Sequence, residues 1–128
     1  MAVNRFGHID LRVKNAREAL EFYAKLMPEL GFTLTFHGGA WHVFAGGTHL
    51  PQAPYFAVTE DPEHVPNGNR IAFWAPSPQE VDRIAGVVAQ AGGRRIEGPE
   101  KQPYSPTYYA VYFEDPSGNQ FEVYYREN

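Results

Sequence analysis

The chain of 128 residues contains no cysteine, which excludes disulfide cross-links, thiolate nucleophiles and cysteine-ligated zinc together. It also lacks an excess of positive charge. Eleven Lys and Arg stand against fifteen Asp and Glu, for a formal net charge of −4, and no basic run interrupts that balance. Nucleic-acid binders carry the opposite asymmetry, so no nucleic-acid partner is expected. No window approaches eighteen uninterrupted apolar residues, and no membrane span is expected either. The opening MAVNRFGHIDLRV has no long apolar stretch of the secretory-leader kind. With cysteine missing, these absences make the cytoplasm the default location.

What the chain does have is aromatics: eight Tyr, nine Phe and two Trp, more than a core of this size requires. Tyrosine lines ligand pockets as readily as cores. Hydrophobic residues make up 43%, enough for one folded domain with a real core.

The pattern then repeats. Phe6–Val13 alternates, with Ile9, Leu11 and Val13 on one face and His8, Asp10 and Arg12 on the other. Asn15 with Glu18 makes a capping box before a helical stripe (Ala19, Leu20, Phe22, Tyr23, Leu26, Met27), which Pro28 and Gly31 close. Strands are predicted at Phe32–Phe36, Trp41–Ala45 and Tyr55–Thr59. The second half runs in the same order: an alternating Arg70–Ala75, a capping box at Ser77 and Glu80, and a stripe of Val81, Ile84, Ala85 and Val88 ended by Gly92-Gly93. Predicted strands follow at Arg94–Ile96, Thr107–Phe113 and Asn119–Tyr125, the last two joined by the turn Asp115-Pro116-Ser117-Gly118. The pairs Ile9/Ile71, Asn15/Ser77, Glu18/Glu80 and Gly31/Gly93 are each 62 residues apart. One domain over residues 1–128 is therefore predicted, of α+β class and built from two tandem βαβββ modules at about 4–62 and 68–127. Two units are too few for a solenoid, so they must share a core. The faces opposite the packed ones carry His8, Asp10 and Arg12, then Arg70, Ala72 and Trp74, then Gln120, Glu122 and Tyr124; these should line a groove.

GHIDLRV, RIAFWAPSPQEVDRI and YYAVYFEDPSGNQFEVYY resemble the vicinal oxygen chelate superfamily, the group of glyoxalase I, bleomycin-resistance proteins and extradiol dioxygenases. The likeness spans essentially the whole chain. It implies paired βαβββ modules in curved mixed sheets around a cavity, a small-molecule ligand and frequently a homodimer, with pairing within or between chains left open. It also implies a divalent metal (Fe, Mn, Ni or Zn) in the family's metal-dependent members. His8 matches the first-strand ligand and Glu122 the last-strand ligand. The second-module histidine position holds Arg70, whose guanidinium cannot ligate a cation. The fourth position falls on Glu60 by the strict 62-residue offset and on Ala57 by strand pattern. His37, His42, His49 and His64 read as loop or surface histidines.

Three functions fit these residues. In the first, Arg70 occupies the metal's place opposite Glu122, pairing with it or binding an anion. Trp74, Tyr124, Tyr109 and Tyr104 then hold a small aromatic or anionic compound. The second is a metal-dependent lyase, isomerase or dioxygenase using His8 and Glu122 as ligands or as an acid–base pair. The third is a non-catalytic dimerisation module. Gly98–Pro106 is expected to be a stiff exposed connection over the cavity.

Overall fold

The computed structural model describes residues 5–46 and 53–127; the predicted start of the first module near residue 4 lies outside them. Strand β1 (His8–Val13) leads into helix α1 (Ala16–Leu26), and a 3-10 turn over Met27–Leu30 extends the helix. The helix starts where the sequence says it should: Asn15 Oδ1 accepts from the Glu18 N–H at 2.9 Å. Strands β2 (Leu34–Gly38), β3 (Trp41–Ala45) and β4 (Tyr55–Glu60) complete the first module. The second comprises β5 (Arg70–Trp74), α2 (Pro78–Ala91), β6 (Arg94–Lys101), β7 (Tyr109–Glu114) and β8 (Gln120–Tyr125). Ser77 Oγ caps α2 through the Glu80 N–H at 3.1 Å.

Two differences from the predicted repeat matter. Helix α2 ends on Gly92, at φ 99°, as α1 and its 3-10 turn end on Gly31 at φ 95°; Gly92, not Gly93, is therefore the counterpart of Gly31. Strand β6 continues to Lys101, past the predicted Ile96, with register shifts against β7. The first part of the expected connection is thus paired strand, and only residues 102–108 cross openly.

Each module forms a four-stranded mixed sheet, in the orders β1-β4-β3-β2 and β5-β8-β7-β6. Parallel pairing sets His8 against Tyr55 and Asp10 against Ala57 in the first sheet, and Arg70 against Gln120 and Ala72 against Glu122 in the second. The spacing between equivalent strands is therefore 62 residues for β1 and β5 but 65 for β4 and β8. Ala57, not Glu60, is the counterpart of Glu122.

One core serves both modules. Phe22, Tyr23, Leu26 and Met27 of α1 join Val81, Ile84 and Val88 of α2 and the inward residues of both sheets in a single buried cluster. Phe56 lies 6.1 Å from Phe121 across the module boundary, and Phe22 lies 6.4 Å from Phe113. Polar groups tie the same boundary. The Asp115 carboxylate, fully buried, accepts from the Tyr23 hydroxyl at 2.6 Å, the N–H groups of Ser117 and Asn119, and the Asn119 side-chain amide. Asn119 donates onward to the Arg12 carbonyl, and the Lys14 N–H donates to Ser117 Oγ. His64 joins through Asn119 Oδ1 at 2.7 Å.

Removing this carboxylate orphans four donors, each worth about 1–3 kcal/mol when buried without a partner. Asp115→Ala is expected to destabilise the fold by at least about 3 kcal/mol in urea unfolding, with a smaller loss for Tyr23→Phe. An Asp115→Ala loss no larger than that of Tyr23→Phe would show that the carboxylate does not hold the modules together.

Candidate functional site

On the first module the outward face is short of ligands. His8 stacks on Tyr55, with centroids 4.5 Å apart and planes 3° from parallel, and its Nε2 lies 3.4 Å from Asp10 Oδ2. Ala57, at the position that matches Glu122, contributes only a methyl group. Glu60 ends β4 with Oε1 accepting the Ala16 N–H at 3.0 Å, so this carboxylate serves the positive end of α1. Glu60 is thereby corrected as a metal-ligand candidate: it is held at a helix terminus.

The second module concentrates its polar chemistry around Glu122, which is 7% exposed. The Tyr108 hydroxyl donates to Glu122 Oε2 in a very short hydrogen bond. Tyr112 lies directly across from Glu122 in the β7–β8 register. Burial pushes the hydroxyls of both tyrosines upward from the usual range, followed by the hydrogen bond to Glu122 for Tyr108 and by the Glu122 charge for Tyr112. Tyr124 stacks flat on Tyr108 at 5.2 Å, and Tyr104 meets Tyr108 edge-on at 5.1 Å. Arg70 does not pair with Glu122 as the sequence led us to expect. Its neighbour in register is Gln120, whose Oε1 it reaches at 3.2 Å, and its guanidinium lies 5.0 Å from the Tyr112 ring centroid. Parallel pairing puts Ala72, two residues on, beside the carboxylate.

Tyr109 also needs correcting as a pocket residue. Its hydroxyl donates to Asp82 of α2 at 2.6 Å, so it points to the helix side. The signal was present: Val111 and Phe113 pack inward, and a strand that alternates must send Tyr109 with them and Tyr108 and Tyr112 the other way. Tyr108, which the sequence reading did not select, is the residue that covers Glu122.

The predicted residues divide between two clefts. His8, Arg70 and Trp74 line an apolar cleft of about 460 Å³ at the seam of β1 and β5, with Phe6, Ile9, Phe32, Tyr55, Phe56, Ile71 and Phe73. Tyr124 lines a separate one of about 380 Å³ with Trp74, Ala75, Pro76, Tyr125 and Arg126. Glu122 lines neither. Among the described residues no three His, Asp or Glu side chains gather as a metal centre would need. His8 faces Asp10, Glu122 is covered by Tyr108, and Glu60 caps a helix, so this donor set within one chain does not fit the metal the resemblance implies. His49 lies outside the described residues.

Paired βαβββ modules with a cleft at the seam of their edge strands define the class of fold. The profile of the Glyoxalase/Bleomycin resistance protein/Dioxygenase superfamily matches residues 5–123, and the chain belongs to that superfamily. No curated protein matches it. A glyoxalase/bleomycin resistance protein from Albidiferax ferrireducens T118 superposes with TM-score 0.77 at 23% identity, covering 97% of this chain and 100% of its own. The fosfomycin resistance protein FosX from Listeria monocytogenes gives 0.72 at 18%, covering 98% and 96%. A glyoxalase/bleomycin resistance protein/dioxygenase family enzyme from Burkholderia phytofirmans PsJN gives 0.71 at 13%, covering 94% and 97%. At these identities the likeness is one of fold. No described helix is long and apolar enough to cross a membrane.

The tyrosines around Glu122 give the site a signature at high pH. The folded protein holds the Tyr108 and Tyr112 protons more tightly than the unfolded chain does. Their contribution to stability is therefore complete below pH about 10 and falls as the unfolded tyrosines ionise above it. In an absorbance titration, Tyr108→Phe is expected to remove one late-titrating tyrosine and Glu122→Gln to bring that ionisation to lower pH. An unchanged late phase in both variants would contradict the assigned contacts.

Proposed function

We propose that the protein binds a small aromatic or anionic compound in the cleft between β1 and β5, holding it or acting on it without a resident metal. The observation that carries this is the state of Arg70. Its guanidinium lies against a neutral amide and a tyrosine face, and no carboxylate among the described residues pairs with it. Arg70 is also among the residues lining the cleft with Phe32, Phe56, Ile71, Phe73 and Trp74. A cleft of this size suits a small ligand, with a few polar groups orienting it among apolar walls. An uncompensated cation beside aromatic faces favours an aromatic carboxylate or a similar anion. His8 lines the same cleft and is the natural acid–base partner for any reaction there.

The test is calorimetric titration with a panel of aromatic carboxylates, each run beside its uncharged amide. Losing a charge-assisted contact costs about 1.5–3 kcal/mol. Arg70→Ala should therefore weaken carboxylate binding by roughly 10- to 100-fold, with little effect on the amide. Equal binding of acid and amide, or an unaffected Arg70→Ala, defeats the proposal and returns the fold to the role of a dimerisation module.

The protein works as a homodimer on this proposal. β1 and β5 each lie at the end of their sheet, and Phe6 and Trp74 beside them are 81% and 72% exposed. Unpaired edges flanked by exposed aromatics are costly to leave in water. Sedimentation should give twice the 14.4 kDa chain mass, with Trp74→Glu shifting the equilibrium towards monomer. A monomer at high micromolar concentration would rule this assembly out.

A further inference from the structure

Two histidines outside both clefts face each other across the β2–β3 hairpin. His37 and His42 are directly opposed in register. Their Nδ1 atoms lie 2.9 Å apart, with ring centroids at 5.1 Å and planes tilted by 56°. Pairing of His42 with Val58, and its alternation with Phe44, place the pair on the core-facing side of the sheet near its outer edge. His8 and Asp10 occupy the opposite side, in line with Ala57. The histidine pair is thus separate from the seam cleft.

We propose that His37 and His42 together chelate a divalent transition-metal ion, in a geometry that suits Cu(II) and Ni(II) better than Zn(II). A metal–imidazole bond is about 2.0–2.1 Å long, so two nitrogens at right angles on one ion lie about 2.9 Å apart, and two at a tetrahedral angle about 3.4 Å apart. The observed spacing matches the first. Adjacent positions at right angles belong to square-planar and octahedral ions, the habit of Cu(II) and Ni(II). The antiparallel ladder sets the two residues opposite each other before any metal arrives, and the ring-to-ring contact already brings the nitrogens to chelating distance. Without metal, one Nδ1–H donates to the other ring's Nδ1; on metal binding the donor ring shifts to its Nε2–H tautomer by proton exchange with water, so both Nδ1 lone pairs face the ion. No third His, Asp or Glu joins the pair among the described residues.

The experiment is calorimetric titration of the full chain with Cu(II), Ni(II) and Zn(II) salts in turn, with electron paramagnetic resonance of the Cu(II) form. One equivalent is expected to bind, with two nitrogen donors in the Cu(II) spectrum. His37→Gln and His42→Gln should each weaken binding by on the order of 100-fold, because the second imidazole acts at high effective concentration, and should leave a single nitrogen donor. His8→Gln and Glu122→Gln should change neither readout. Copper exceeds zinc at any nitrogen site, so nickel against zinc is the comparison that reports geometry: Ni(II) should bind at least as tightly as Zn(II). Tighter Zn(II), binding indifferent to both hairpin variants, or no saturable binding would each overturn the proposal. Loss in His8→Gln would overturn it too, by placing the ion at the seam cleft and against the metal-free function proposed above.

Discussion

The buried carboxylate of Asp115 is the constraint on which the two-module arrangement depends. A charge removed from water without a cation beside it is expensive unless every lone pair finds a donor. Here the donors come from its own turn and from the other module: two backbone N–H groups and an amide from residues 117–119, and the Tyr23 hydroxyl of α1. The turn must have a definite shape to supply them. Gly118 stands at φ 93°, and a Cβ there would meet the Pro66 ring at 3.0 Å, so glycine is required on both counts. Tyr23 in turn sits among Phe44, Phe56 and Phe121, which links the polar clasp to the aromatic core of both sheets.

It follows that the most distinctive motif in the sequence, D-P-S-G-N, is a joint between modules. Its presence identifies the architecture without selecting a reaction, because any chemistry grafted onto this fold needs the same joint. The chemistry has to be sought where the modules differ. In the first, β1 carries Asp10 and β4 carries Ala57 in register; in the second, β5 carries Ala72 and β8 carries Glu122. At these matched positions each strand pair thus carries one carboxylate, on opposite members of the pair. The duplicated backbone is symmetric, but its charges are not.

This also explains what the sequence could disclose. Caps, helical stripes and strand alternation are local, so the αβ framework, the two capping boxes and the inward faces of β1, β5 and β8 were readable residue by residue. Register between strands distant in sequence is not local. A three-residue difference between the half-chains moves the counterpart of Glu122 from Glu60 to Ala57; the strand pattern offered Ala57 beside Glu60, and the pairing decides between them. The same holds for Arg70, whose neighbour is set by parallel register with Gln120. Tyr109 was an avoidable error of parity within one strand. The longer β6 arises from pairing with β7 through two irregularities, for which Gly98 and Pro99 gave no strand-like signal.

These register effects decide how charge is presented in the second module. Had Arg70 stood beside Glu122, the two would have cancelled, leaving a neutral, closed patch. Parallel pairing sets them two residues apart instead. Tyr108 donates to the carboxylate and covers it, while the guanidinium, supported only by Gln120 and the Tyr112 ring, keeps its full charge at the surface. On the proposed function, a ligand in the cleft at the seam of β1 and β5 draws on Arg70 among aromatic walls. Anion preference on the proposed function arises from two features: the β5–β8 register that separates Arg70 from Glu122, and the hydrogen bond by which Tyr108 covers that carboxylate.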